Sequence, residues 1–108
     1  MSIILSIDTT DSTKTVVSLK KDGKESVLEE LTDRQKSQNV LPLIAQLLKK
    51  EKMQLADLTE VEVNSGPGSF TGTRVGISVA NTLGWTLGIP VNGKKIPAVP
   101  LYTPSVFD

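Results

Sequence analysis

The stretch Asn64-Ser65-Gly66-Pro67-Gly68-Ser69-Phe70-Thr71-Gly72-Thr73-Arg74-Val75-Gly76 constrains the fold more than any other part of the chain. An alternating run containing Val61 and Val63 precedes it, and a long helix-compatible segment follows. Glycine permits a tight turn and a close backbone approach. Ser69 or Thr71 is placed to cap the helix that begins there. The free N–H groups of a first helical turn also suit an anion. The spacing is neither G-x-G-x-x-G nor a Walker A loop, because no Gly-Lys-Ser/Thr follows. The stretch is therefore a strand–turn–helix corner. Its residues alone leave two uses open: packing helix against sheet, or cradling a phosphate.

Around this corner the pattern is β-β-β-α-β-α-β. Ile3 to Asp8 is an apolar run ending in a carboxylate and reads as a buried strand. Thr15 to Lys20 alternates and reads as a second strand. Asp22-Gly23 is a hairpin signal leading into a third, Glu25 to Leu31. Ser37 to Lys52 is helical, with Ser37 or Asn39 as cap and Pro42 confined to the first turn. Val40, Leu41, Leu43, Ile44, Leu47 and Leu48 spread over roughly 160° of its circumference, wide for a helix that covers a sheet on one side only. Glu60 to Asn64 is the fourth strand, Thr71 to Leu87 the second helix, and Val91 opens a short fifth strand. The expected architecture is α/β, a mixed five-stranded sheet with two helices. It matches one lobe of the ribonuclease-H-like or actin-like ATPase (ASKHA) fold. The domain spans residues 1–95, and the proline-rich stretch 96–108 is expected to be an extended apolar tail.

On the second helix, Gly72, Gly76, Ala80, Gly84 and Gly88 fall on one stripe, beside Val75, Val79, Leu83 and Leu87. Interior helical glycines cost up to ~1 kcal/mol each, so they imply close approach of another backbone. Ile77, Ser78, Asn81, Arg74 and Trp85 are expected on the opposite side. Trp85 is the only tryptophan, a residue type enriched at interface hot spots. Val40, Leu41, Ile44, Leu48, Gly72, Gly76, Val79, Ala80 and Leu83 are the candidate contact residues toward a partner. On that reading Gly76→Leu abolishes association and leaves a folded monomer.

The composition narrows the chemistry. There is no histidine and no cysteine, which removes the commonest general base, thiolate chemistry and disulfides. Lys plus Arg equals Asp plus Glu at 12 each, so no overall basic charge argues for direct nucleic-acid binding. No apolar run reaches membrane-spanning length, and a cytoplasmic protein is expected. Asp8, Thr9 and Thr10, with Gly66, Gly68 and Ser69, form the candidate nucleotide or phosphate site. A carboxylate ending the first strand, followed by hydroxyls, can hold a metal and a phosphate. It can equally close its own turn by hydrogen bonds. A two-metal nuclease needs several converging carboxylates, and Asp8 is the only one well placed.

Gly66-Pro67-Gly68-Ser69-Phe70-Thr71-Gly72-x-Arg74-x-Gly76 resembles the signature of the TsaB (YeaZ) family. Ile7-Asp8-Thr9-Thr10 followed by Val16-Val17-Ser18-Leu19 resembles that family's opening strand pair. Ser37-Gln38 with Leu41-Pro42 resembles its first-helix entry, with Lys36 where a histidine is usual. The resemblance implies a non-catalytic, dimer-forming subunit of the bacterial tRNA N6-threonylcarbamoyladenosine machinery. It implies association through the two helices with a second copy or with a TsaD-like catalytic subunit, and no cofactor held by this chain alone. ATP and magnesium are then expected, if anywhere, at a subunit junction. The alternative is a small nucleotide-binding or nucleotide-hydrolysing domain using Asp8 and the Gly66–Gly72 corner. Family members normally continue into a second lobe. Here the fifth strand runs almost directly into Pro100-Leu101-Tyr102, which resembles the family's closing segment, so either the second lobe is lost with the tail retained or the sequence is a fragment.

Overall fold

The computed structural model describes residues 2–31, 36–68 and 70–94. Ile3–Asp8 (β1), Lys14–Lys21 (β2) and Lys24–Leu31 (β3) form an antiparallel meander, and Glu60–Val63 (β4) pairs parallel to β1. The sheet order is β3-β2-β1-β4. Asp22 and Gly23 turn the β2–β3 hairpin with φ of 52° and 79°, as a two-residue primed turn demands. Lys36–Lys50 (α1) and Phe70–Leu87 (α2) pack on one face of the sheet, and a short 3-10 turn, Leu55–Asp57, precedes β4.

Strand alternation decides which face they cover. Leu5, Ile7, Val17, Leu19, Val61 and Val63 point under the helices and are buried. They meet Val40, Leu43, Ile44, Leu47 and Leu48 of α1 and Ile77, Ala80 and Leu83 of α2. Fully burying such a side chain contributes about 1.5–3 kcal/mol, so this layer dominates the stability of so small a domain. On the other face Ser6 donates to Glu62 at 3.1 Å, and Lys14–Glu29 and Lys20–Glu62 form exposed ion pairs. Such pairs add little.

The structure corrects the expected elements in four places. The sheet has four strands among the described residues, not five. Val91 forms only isolated bridges, parallel to Val61 and antiparallel to Lys94. Asn92 and Gly93 take positive φ, 53° and 76°, and turn the chain back at once. The Asn92 side chain then occupies the place of the next strand residue: its Oδ1 accepts from the Val63 amide at 2.8 Å and its Nδ2 donates to the Val63 carbonyl at 3.1 Å. Second, α1 begins at Lys36, so Pro42 lies in its second turn rather than its first. Third, α2 begins at Phe70, which puts Thr71 inside the helix; Ser69 lies outside the described residues. Fourth, Ile77 is buried, on the sheet side of α2 rather than beside Trp85. The expected tail, 96–108, lies outside the described residues.

Both helices close with the same motif. Gly88 sits at φ 68°, while the Ile89 amide donates to the Gly84 carbonyl and the Gly88 amide to that of Trp85. After α1 the equivalent bonds run from Met53 to Leu48 and from Lys52 to Lys49. These are Schellman caps. In the second, the left-handed position is filled by Lys52 at φ 56°, where a Cβ is unfavourable. Lys52→Gly is expected to raise stability by about 1 kcal/mol, a melting-temperature gain on the order of 5 °C in a domain this size. Thermal unfolding followed by circular dichroism reads it directly.

Candidate functional site

Two regions carry the candidate residues: the corner where β1 and β4 meet α2, and the two helices. At the corner Asp8 ends β1. Its Oδ1 accepts hydrogen bonds from the Thr10 amide at 3.0 Å and the Thr10 hydroxyl at 2.7 Å. Its Oδ2 accepts from Asn64 Nδ2 at 3.2 Å. The carboxylate thus ties its own turn to the end of β4. Gly66 takes φ 107° and donates its amide to Asn64 Oδ1 at 3.1 Å; the Gly66–Pro67 peptide is cis. A Cβ on Gly68 would lie 2.6 Å from Thr10 Cβ, so this glycine is where the corner touches the β1 turn. Thr9 is fully buried beneath α2. Asp8, Thr9, Thr10, Gly66 and Gly68 therefore lie together at one end of the sheet.

Beside them opens a groove of about 360 Å³ lined by Ser6, Asp8, Ser18, Glu25, Glu62 and Asn64, among others. Three of those side chains are carboxylates. They carry the same sign of charge as a phosphate and repel it, and the Asp8 carboxylate is already bonded to Thr10 and Asn64.

The helices place the candidate contact residues in two groups. Val40, Ile44, Leu48, Ala80 and Leu83 are buried in the chain's own core, and Gly72 and Gly76 are buried as well. The wide arc on α1 and the small-residue stripe on α2 are therefore filled largely from within. The stripe is a helix–sheet seam. A Cβ at Gly76 would collide with Thr9 Oγ1, and one at Gly84 with a methyl of Val91. Leu41 and Val79 stay accessible: Leu41, at the rim of the α1 arc, is 54% exposed, and Val79 is half-buried like Val75. Trp85 is 89% exposed. Nine residues beyond Gly76, it projects from the side of α2 opposite the seam. An indole so exposed costs stability nothing to remove and has much apolar area to offer a second surface.

A sheet ordered 3-2-1-4 with both helices on one face, a first strand ending at a carboxylate and a fourth leading through a glycine corner into α2, defines one lobe of the ribonuclease-H-like (ASKHA) class. Comparison with known proteins narrows the class. The family model for TsaD, tRNA N6-adenosine threonylcarbamoyltransferase, matches residues 13–94. The tRNA threonylcarbamoyladenosine biosynthesis protein TsaB of Bacillus subtilis is 37% identical over 91 residues, which covers 82% of this chain and 39% of that protein. Its Escherichia coli namesake is 36% identical over 90 residues, 83% of this chain and 38% of the other. The solved structure of YeaZ from Pseudomonas aeruginosa superposes with a TM-score of 0.80 at 32% identity, covering 84% of this chain and 42% of that one. The chain belongs to the TsaB (YeaZ) family, within the group that the TsaD model describes. It spans about two fifths of the length of the curated relatives it matches.

Among the described residues no helix is long and apolar enough to cross a membrane.

Proposed function

We propose that this chain is a non-catalytic association subunit in tRNA N6-threonylcarbamoyladenosine formation, and that it meets a TsaD-like catalytic subunit, or a second copy of itself, through the outward faces of α1 and α2. The relatives' names supply the pathway. The observation that carries the surface is Trp85, 89% exposed on the side of α2 away from the sheet. Leu41, Val75 and Val79 extend the accessible apolar area on the same two helices. Val40, Ile44, Leu48, Gly72, Gly76, Ala80 and Leu83 act behind this surface, by fixing the helices to the sheet.

The catalytic work falls to the partner. This chain has no histidine or cysteine, and the Asp8 carboxylate is engaged in holding its own turn. The reading also places the chain in the cytoplasm, where tRNA is modified. Reconstitution tests it. Threonylcarbamoyl transfer to tRNA by a TsaD-like enzyme, with the other components of its machinery held constant, is measured with and without this chain. A several-fold rise in rate on adding the chain is expected, saturating with its concentration. A rate unchanged at saturating concentration contradicts the proposal.

A further inference from the structure

Just past β1, the side chain of Thr9 grips the backbone of α2. Thr9 Oγ1 donates to the Gly72 carbonyl and accepts from the Gly76 amide at 3.0 Å. Those two groups are the pair that an uninterrupted α-helix joins to each other. The threonine hydroxyl, with one donor and acceptor lone pairs, satisfies both at once. Gly76 leaves no space for anything else: a Cβ there would strike the same hydroxyl. The neighbouring Thr10 packs its Cβ and backbone against Gly68, two residues before the helix, while its hydroxyl stays on Asp8. At the other end α2 rests on Val91 through Gly84, a contact without a hydrogen bond. Gly76 and Gly84 are about 12 Å apart along the axis. The helix is thus pinned near its N-terminal end by the Thr9 hydroxyl, and anchored at its C-terminal end by the Gly84–Val91 contact and by the chain that follows, where Pro90 and Asn92 bond to Val61.

We infer that Thr9 is a positioning residue: its hydroxyl sets the height and tilt of α2 on the sheet, and without it α2 pivots about the Gly84–Val91 contact. The pivot carries Val75 and Val79 out of place and leaves Trp85, beside the fulcrum, nearly where it was. The consequence for association rests on the function proposed above; the positioning itself does not.

The test uses the full chain and two variants. Thr9→Val keeps the shape and removes the hydroxyl. Thr9→Ser keeps the hydroxyl. Residual dipolar couplings of the α2 amides report the tilt of the helix against the sheet, and hydrogen exchange at Gly76 reports the pin. Thr9→Val is expected to tilt α2 and to speed Gly76 exchange by roughly tenfold, the scale of one buried hydrogen bond. Thr9→Ser is expected to restore both. An unchanged tilt and unchanged Gly76 exchange in Thr9→Val overturn the inference. If Thr9→Val does not fold, the wild-type chain decides: a slowly exchanging Thr9 hydroxyl proton with a nuclear Overhauser contact to the Gly76 amide supports the pin, and its absence refutes it. Affinity for the TsaD-like subunit is measured alongside, with a roughly tenfold loss expected in Thr9→Val and recovery in Thr9→Ser. A wild-type chain that binds nothing counts against the proposed function while the tilt measurement still decides the role of Thr9.

Discussion

Gly76→Leu is expected to abolish cooperative folding. The position is buried at the centre of the seam between α2 and the end of β1. A Cβ alone collides with Thr9 Oγ1, and a leucine adds three further carbons with nowhere to go. Relief requires lifting α2 from the sheet, which breaks both hydrogen bonds to Thr9 and opens the packing of Ile77, Ala80 and Leu83. Overpacking alone costs about 1–3 kcal/mol. Loss of two buried hydrogen bonds adds about 1–3 kcal/mol. A small domain has on the order of 5 kcal/mol to lose. Circular dichroism during heating checks it. A sigmoidal transition at the wild-type temperature would show that the seam is looser than these contacts imply. The outcome also replaces the expectation from the glycine spacing, in which the same substitution spared the fold and removed only association.

Trp85→Ala is expected to do the opposite. The side chain is 89% exposed, so its removal changes stability by no more than about 0.5 kcal/mol. Central aromatic anchors of an interface contribute about 2 kcal/mol or more, which is roughly a thirtyfold loss of affinity. The variant should therefore melt with the wild type and bind its partner far more weakly. Isothermal titration beside a thermal melt separates the two effects. Unchanged binding would move the association surface away from α2.

The contrast between these two residues shows how far the sequence could be read. Periodicity identifies both helices and the strands of the meander, because one solvent-exposed face makes alternation and helical spacing legible, and the Asp22-Gly23 dipeptide identifies the turn. The glycine spacing on α2 correctly announced a close approach. It could not say to what, since a strand end in the same chain and a helix in another impose the same requirement. Thr9 supplied the answer, yet a threonine 67 positions from the amide it binds leaves no local signal. Ile77 was misplaced for a related reason: the buried arc of α2 is shifted toward Thr73 and Gly84, and only the tertiary contacts fix its centre. Asn92-Gly93 is a further local signal. The dipeptide is a strong hairpin signal, and it explains why Val91 begins no full strand. Asp8 was found by its position at a strand end, whereas its occupation by Thr10 and Asn64 needed coordinates.

Association is the central claim, and light-scattering mass tests it most directly. The purified chain is measured alone and after mixing with a TsaD-like subunit from the same source. The account predicts that the chain forms a mixed complex with that subunit, with any dimer of the chain alone exchanging into it. A chain that stays monomeric and elutes apart from the partner would contradict it.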